Sequence, residues 1–280
     1  MIDRARILTT GANGMVGSYI DFGIQTGEKE LNILDRAQVI RVITEHAPLA
    51  IIHLAAATDL DRAENEPDHA YTLNAIGTHN VASAARAVGA TLILASTSGV
   101  FNGKKGSPYT PEDEPDPQNY YARSKHIAEL IVKGMLTDYI VARGCWIFGG
   151  GPAKDVKFVG AITRQLENPE IKALDDVTGS PTYAKDFVAG ILQLLDSERR
   201  GTFHVGNVGA CTRFDVAQHI VKALKPSVRV TAVQGNYFKL SAARLKNESM
   251  ISEDFMRPWQ EALSEYLTEW QTTLERPQIP

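Results

Sequence analysis

The chain has 280 residues, of which 44% are hydrophobic, and its formal net charge is −4 at pH 7. A chain of this size can bury a sizeable core, either in one α/β domain or in a nucleotide-binding domain with a small second lobe. The acidic balance argues against nucleic-acid binding, and no apolar run approaches the length of a membrane span. The first predicted strand begins close to Met1, which leaves no room for a signal peptide, so we expect a cytoplasmic protein.

Apolar strand-like runs alternate with helical periodicity along the chain, which is the pattern of a parallel sheet covered by helices. We predict an α/β fold, a Rossmann-type doubly wound parallel sheet with a small C-terminal substrate-binding lobe. The predicted strands are 7–10, 50–55, 91–96, 139–143, 171–174 and 202–205. The predicted helices are 36–46, 68–88, 120–135, 156–166, 184–195, 213–224 and 259–274, with Asp35 as the N-cap of the first. Residues 1–145 are assigned to the cofactor domain and 146–280 mainly to the lobe, with the chain crossing back at about 175–205.

The first predicted strand runs directly into a glycine-rich loop with the spacing Gly-x-x-Gly-x-x-Gly, at Gly11, Gly14 and Gly17. Glycine permits a tight turn and a close approach of the backbone to a pyrophosphate, and the N-terminus of a following helix offers free N–H groups to the anion. The alternative is an ordinary glycine-rich turn. The helix predicted here is unusually short, at residues 18–22.

The second strand is poorly defined, near Gln25-Thr26-Gly27. In a doubly wound fold an acidic residue at its end would bind the ribose diol of NAD, and no carboxylate stands there. Glu28, Lys29 and Asp35 are imperfect candidates for a ribose contact. The cofactor is therefore NADP or NAD, with a slight preference for NADP.

Tyr121 is followed four residues later by Lys125, downstream of a strand that ends at Ser96-Thr97. Positions i and i+4 share a helix face, so the phenol and the ammonium can point into one cleft. A neighbouring cation favours the phenolate, so we expect Lys125 to lower the pKa of Tyr121. Thr97 could hold a carbonyl oxygen beside the phenol while hydride arrives at carbon. By itself this spacing also arises by chance.

Taken together, the motifs resemble those of the dTDP-4-dehydrorhamnose reductases, which belong to the extended short-chain dehydrogenase/reductases. The resemblance covers nearly the whole chain and depends on the order of its landmarks. These are Thr10 to Gly17, Ile52 to Thr58, Leu73 to Gly77, Ser96-Thr97 to Phe101, Ser107 to Thr110, Tyr121 to Lys125, Arg143 to Gly149, Gly179 to Asp186 and Arg257-Pro258-Trp259.

The resemblance implies a role for several groups of residues. It implies that the catalytic hydroxyl, phenol and ammonium are Thr97, Tyr121 and Lys125, the last two also contacting the cofactor. It implies that the pyrophosphate loop is Gly11, Asn13, Gly14, Met15 and Val16. It implies further cofactor contacts at Leu54, Ala55 and Ala56 and, for the adenine, at Asn32 and Ile33. Trp146 matches an aromatic residue that lies against the sugar, and a tryptophan face suits the C–H faces of a pyranose.

The sequence departs from the family pattern beside Thr97. Members usually read Ser-Thr-Asp-Tyr-Val-Phe, whereas this chain has Ser98 and Gly99 in place of the aspartate and the tyrosine. We expect Ser98 at the substrate, with the contact of the lost carboxylate missing and more space over the sugar. The same departure argues against a 4,6-dehydratase, which needs a carboxylate pair after the threonine.

Two functions remain open at this point. The first is an NAD(P)H-dependent reductase of a nucleotide-linked 4-keto sugar, with Tyr121 as the proton donor. The second is a non-catalytic NADP-binding regulatory subunit that resembles the beta subunit of methionine adenosyltransferase. A sugar epimerase is disfavoured because such enzymes generally have a larger substrate lobe. We expect a nucleotide-sugar ligand, no metal, and no nucleic-acid or membrane partner, and a homodimer remains open. His53 is predicted to be a hydrogen-bonded core residue.

Overall fold

The computed structural model describes residues 1–275 of the chain. In this part of the chain the strands are β1 (Ile7–Thr10), β2 (Ile24–Thr26), β3 (Ala50–His53), β4 (Thr91–Thr97), β5 (Tyr139–Gly144), β6 (Ile147–Phe148), β7 (Glu170–Leu174), β8 (Thr178–Gly179), β9 (Thr182–Tyr183), β10 (Gly201–His204), β11 (Cys211–Thr212) and β12 (Arg229–Val233). The α-helices are α1 (Arg36–His46), α2 (Leu60–Asn65), α3 (Pro67–Tyr71), α4 (Gly77–Val88), α5 (Tyr120–Met135), α6 (Gly151–Lys154), α7 (Phe158–Thr163), α8 (Ala184–Asp196), α9 (Arg213–Leu224) and α10 (Trp259–Glu275).

Six parallel strands form the central sheet in the order β10-β5-β4-β3-β1-β2. The strands β2 and β3 lie on opposite sides of β1, so the strand order reverses there. In open α/β sheets a ligand crevice lies outside the carboxyl ends of the strands at such a reversal. The predicted Rossmann-type doubly wound sheet is confirmed, and its topology places the site at the ends of β1 and β3.

The helices pack on both faces of this sheet. One apolar core joins α1, α4 and α5 to one face through residues such as Val39, Val81 and Ala128. The other face is covered by α8, whose Phe187 and Ile191 pack on Ile52 and neighbouring strand residues. Both α8 and β10 thus return to the central sheet after the chain has left it.

A second group of elements surrounds a separate apolar core. It contains the parallel pair β7 and β12, the small pairs β8 with β11 and β6 with β9, and the helices α9 and α10. This core combines aliphatic and aromatic residues, and Tyr183, Tyr266 and Trp259 are nearly fully buried in it. Part of the wall of the cavity described below comes from this group.

Most predicted elements lie within two residues of the observed ones, and the bounds of α1, α5 and α9 match the prediction. Asp35 caps α1 by accepting a hydrogen bond from Gln38 N, as predicted. The predicted helix 68–88 is wrong in one respect, because a π-helix at Thr72–Ile76 separates α3 from α4. The predicted helix 156–166 is shorter, at α7, and the predicted helix 18–22 is a single 3₁₀ turn at Gly17–Tyr19.

Candidate active site

A large cavity of about 990 Å³ opens at the carboxyl ends of the parallel strands. Its wall follows the strand ends, at Gly11 after β1, Leu54 after β3 and Thr97 at the end of β4. The opposite wall comes from the C-terminal elements, including Phe158 and Arg213. A volume of this size lies at the upper end of the range for small-molecule and cofactor sites, about 300–1,000 Å³. The cavity is therefore large enough to be the site of a cofactor or another small molecule.

The three loop glycines differ in what a side chain at each position would contact. Gly11 has a φ of +70°, and a Cβ there would lie 2.6 Å from Ala55 N, while a Cβ on Gly17 would lie 2.3 Å from Ala12 O. Both are therefore required by the fold itself. A Cβ on Gly14 would meet only the Gly11 carbonyl oxygen, at 3.2 Å, and Gly14 lines the cavity. The absence of a side chain at Gly14 keeps this part of the cavity open, and the loop thus fits the pyrophosphate of a dinucleotide.

The loop continues without a regular helix. Ser18 N donates to Gly14 O at 3.1 Å, and the 3₁₀ turn at Gly17–Tyr19 closes with Ile20 N donating to Gly17 O. The short helix predicted at residues 18–22 is therefore only this turn, and the chain enters β2 within a few residues. Backbone N–H groups of the loop are what this end offers to an anion, and Met15 and Val16 line the cavity wall beside them.

A buried asparagine fixes the loop that follows β3. Asn74, on the π-helix, accepts a hydrogen bond from Ala57 N at 2.8 Å and donates from its amide to Ala57 O at 3.1 Å and to Ser124 Oγ at 2.8 Å. It thereby ties the loop after β3 to α5. π-helical turns occur frequently at functional sites, and here the turn places Asn74 between the loop after β3 and α5.

Tyr121 and Lys125 lie on one face of α5, and both line the cavity. The helix begins where Asn119 accepts a hydrogen bond from Ala122 N at 2.9 Å, which fixes the first turn and with it the direction of the phenol. Lys125 is only 4% exposed. Within residues 1–275 no hydrogen bond or ion pair engages its ammonium, which is therefore free to bind ligand hydroxyls.

Burial shifts the pKa values of both groups. It lowers the pKa of Lys125 to about 8, an effect that the carboxylate of Glu129 opposes. It raises the pKa of Tyr121 to about 12, and a hydrogen bond with Thr97 opposes that rise. The prediction that Lys125 lowers the pKa of Tyr121 is wrong for this structure, because removal of the phenol from water outweighs the neighbouring groups. The phenol therefore stays protonated at neutral pH.

A buried ion pair holds α5 against the sheet. Glu129 is 0% exposed and Arg143, on β5, is 1% exposed. Arg143 donates to both carboxylate oxygens, from Nε at 2.9 Å and from Nη2 at 2.7 Å, and Ser96 Oγ donates at 2.6 Å. Since α5 carries Tyr121 and Lys125, this pair also fixes their height above β4.

Trp146 adopts a strained backbone conformation on the cavity wall. Its φ is +46°, a left-handed value that is rare for a bulky residue and is typical of functional sites. The indole packs on the backbone of Gly179, where a Cβ would lie 2.5 Å from the ring. The guanidinium of Arg213 lies 4.3 Å from the ring centroid. Trp146 is half-buried and lines the cavity, which separates it from the core tryptophans Trp259 and Trp270.

The remaining predicted site residues do not line this cavity. Asn13 is exposed and lies beside Gly27. Asn32 is also exposed, whereas Ile33 is 3% exposed and accepts a hydrogen bond at its carbonyl from Asn80. Ala55 packs behind Gly11. The structure thus brings together ten of the predicted residues at the cavity, namely Gly11, Gly14, Met15, Val16, Leu54, Ala56, Thr97, Tyr121, Lys125 and Trp146.

Ser98 is fully buried behind the wall and donates a hydrogen bond to Glu248 Oε2 at 3.4 Å. Glu248 lines the cavity, as do the cations Arg213, Lys157 and Arg244. Sequence reasoning missed all four of these residues. The signal for Arg213 was its position as the first residue of the predicted helix 213–224, which became α9. Nothing in the local sequence pattern marks Glu248 as a site residue.

The part of the chain that the structure describes has no metal-binding cluster and no membrane-spanning helix. No group of three or more His, Cys, Asp or Glu side chains there has a metal-binding arrangement. His53 is hydrogen-bonded to Thr10 Oγ1 at 2.7 Å and to Thr78 Oγ1 at 3.1 Å. This confirms the prediction that His53 is a hydrogen-bonded core residue. No helix among residues 1–275 is long and apolar enough to cross a membrane.

Comparison with known proteins gives consistent matches over almost the full length. The family model described as RmlD substrate binding domain matches residues 5–276. The spore coat polysaccharide biosynthesis protein SpsK of Bacillus subtilis is 32% identical, with 94% of this chain and 97% of that protein covered. The dTDP-4-dehydrorhamnose reductase of Mycobacterium tuberculosis is 34% identical, with 92% and 91% covered. A crystal structure of dTDP-4-dehydrorhamnose reductase from Bacillus anthracis in complex with NADP has a TM-score of 0.90 at 35% identity, covering 95% of this chain and 100% of that one.

Proposed function

The chain belongs to the dTDP-4-dehydrorhamnose reductase family, and on this premise we propose that it is an NAD(P)H-dependent reductase of a nucleotide-linked 4-keto sugar in deoxysugar biosynthesis. One observation carries the proposal. A single cavity extends from the glycine loop at Gly14, past Tyr121 and Lys125, to Trp146. A dinucleotide on the loop and a sugar on the indole would therefore meet at the phenol.

The residues of the chain have separate tasks in this reaction. The cofactor, when bound, supplies the hydride to the keto carbon. Tyr121, which keeps its proton because burial raises its pKa to about 12, donates that proton to the carbonyl oxygen. Thr97 hydrogen-bonds to the phenol and holds the same oxygen. The ammonium of Lys125 stabilises the negative charge that develops on the phenol and binds ribose hydroxyls.

NADP is the proposed cofactor. Glu30 lies four residues after the end of β2, and its Oε2 accepts a hydrogen bond from Gly27 N at 2.8 Å. It is therefore occupied by the backbone, while the neighbouring Lys29 is exposed and can meet a phosphate. The Bacillus anthracis relative was crystallised with NADP. Parallel titrations with NADPH and NADH test this choice, and tighter binding of NADH would contradict it.

We propose a division of labour between two parts of the chain. Residues 1–145, with the returning segment at about 175–205, hold the cofactor, and most of residues 146–280 hold the nucleotide sugar. Support comes from α8 and β10, which pack on the central sheet, and from Trp146, Phe158 and Arg213, which reach the cavity from the other group. Substitution of Arg213 should therefore weaken binding of the nucleotide sugar and leave cofactor affinity unchanged.

The direct experiment is oxidation of NADPH by the purified protein across a panel of nucleotide-linked 4-keto sugars, with dTDP-4-dehydrorhamnose as the first member. We expect turnover with at least one of them and none without a sugar. Tight binding of NADPH with no turnover across the panel would favour the regulatory-subunit alternative.

A further inference from the structure

Glu248 brings a carboxylate to the cavity wall from a part of the chain that has no regular secondary structure, between β12 and α10. Trp146 Nε1 donates to its Oε1 at 3.3 Å, and Ser98 Oγ donates to its Oε2 at 3.4 Å. Each oxygen is thus held by one side chain. A carboxylate has about four lone-pair positions, so acceptor capacity is left over on the side that faces the cavity.

Glu248 lines the same cavity as Tyr121 and Trp146. Burial raises its pKa, and the positive charge of Arg213 opposes that rise. Its own negative charge raises the pKa of Tyr121, and both side chains line the same cavity. Glu248 is therefore held by Trp146 and Ser98 at the wall of the cavity that Tyr121 also lines.

Position 98 connects this arrangement to the sequence. The family pattern has an aspartate there, and this chain has a serine, so the loop after β4 brings no carboxylate to the site. The serine hydroxyl instead donates to a carboxylate that comes from a distant segment, 150 residues along the chain. Carboxylate and hydroxyl are thus both present beside Thr97, with the carboxylate on a different element.

We propose that Glu248 is a substrate-binding residue that determines specificity: its carboxylate accepts a hydrogen bond from a hydroxyl of the sugar ring on Trp146 and so takes over the task of the missing aspartate. This inference deepens the proposed function and rests on it. The hydroxyl bond fixes the rotation of the ring on the indole face, which directs the keto oxygen toward Tyr121. Ser98 and Trp146 hold the carboxylate in place for this contact.

The test measures binding, so that it does not depend on turnover. Calorimetry with dTDP and with dTDP-rhamnose separates the contribution of the sugar from that of the nucleotide. Glu248→Gln should weaken dTDP-rhamnose binding about 10–100-fold, the range for a hydrogen bond to a charged group, and leave dTDP affinity within about twofold. Glu253→Gln is the matched control, since Glu253 lies in the same segment and pairs with Arg199 outside the cavity. It should change neither affinity.

A second pair of variants moves the carboxylate. Ser98→Asp alone should weaken dTDP-rhamnose binding because two carboxylates then lie side by side. Combining it with Glu248→Ser should recover at least about tenfold of that loss, because one carboxylate is again present. NADPH affinity and thermal stability, measured on every variant, report whether the fold is intact.

The outcomes separate the two proposals. Unchanged dTDP-rhamnose affinity in Glu248→Gln, equal losses for dTDP and dTDP-rhamnose, or a wild-type protein that binds both ligands equally would each overturn the inference. Selective loss of sugar affinity in a protein that reduces no 4-keto sugar would support the role of Glu248 and refute the reductase. Turnover by the wild type, combined with an unchanged dTDP-rhamnose affinity in Glu248→Gln, would support the reductase and refute the role of Glu248.

Discussion

Replacing Lys125 with methionine should stabilise the cofactor-free protein while removing its activity. The ammonium is buried, at 4% exposure, and burial lowers its pKa from the ordinary value of 10.5 to about 8. Such a depression corresponds to roughly 3 kcal/mol of unfavourable free energy for the charged form in the folded state. Methionine keeps the apolar stem and lacks the charge, so the free energy of unfolding should rise by a similar amount at neutral pH.

The pH dependence gives this prediction its sign. The unfolded lysine holds its proton up to about pH 10.5, and the folded one only up to about pH 8. The unfavourable free energy of the charged Lys125 is therefore fully present below pH 8 and disappears as the pH rises toward 10.5. Denaturant unfolding of wild type and Lys125→Met at neutral pH and near pH 10 measures the difference, and the advantage of the variant should shrink in the alkaline range.

A matched lysine controls for the substitution itself. Lys133 lies further along α5, is partly exposed, and pairs with Glu129 at 3.4 Å. Lys133→Met should therefore give no gain in stability. A Lys125→Met protein that is less stable than wild type at neutral pH, or whose gain does not change with pH, would refute the reasoning.

Three further predictions concern catalysis and cofactor binding. Tyr121→Phe should lower kcat by about 10²–10⁴ and leave NADPH affinity unchanged, because the hydroxyl transfers a proton. The control Tyr120→Phe, one residue earlier and outside the cavity lining, should be near wild type in both quantities. A normal kcat in Tyr121→Phe would exclude the assigned role. Gly14→Val should abolish NADPH binding in fluorescence titration while the circular dichroism spectrum stays native-like. The control Gly134→Ala, at an exposed helix position with open space around it, should bind NADPH normally. Equal NADPH affinity in the two variants would mean that the loop is only a turn. The kcat/KM for reduction should fall above about pH 8 as Lys125 loses its proton, since the phenol keeps its own up to about pH 12; a flat profile to pH 10 would contradict this.

The elements that carry the chemistry could be predicted because their signals are local. The bounds of α5 follow from its Asn119 cap and its apolar periodicity, and the spacing of Tyr121 and Lys125 then places both on one face. The glycine loop follows directly from a strand of buried residues. Where signals were local but incomplete, as at the π-helix, the prediction gave one helix and missed the turn that presents Asn74.

The rest of the site depends on tertiary contacts. Glu248 reaches the cavity because its segment forms bridges with distant residues, Tyr109 to Met250 and Thr178 to Asn247. No periodicity in the sequence marks such a segment. The raised pKa of Tyr121 also depends on tertiary packing. Sequence spacing indicates that a lysine is near the phenol, but only the folded structure shows how completely the phenol is removed from water.

Hydride transfer to the sugar is tested most directly by isotopic labelling. The protein is incubated with dTDP-4-dehydrorhamnose and NADPH that carries deuterium at the transferring position of nicotinamide C4, and the sugar product is analysed by mass spectrometry and NMR. One deuterium at sugar C4 in the wild-type reaction, and none in the Tyr121→Phe reaction over the same time, is the expected result. A reduced sugar without deuterium at C4, or equal labelling in both proteins, would contradict the proposed mechanism.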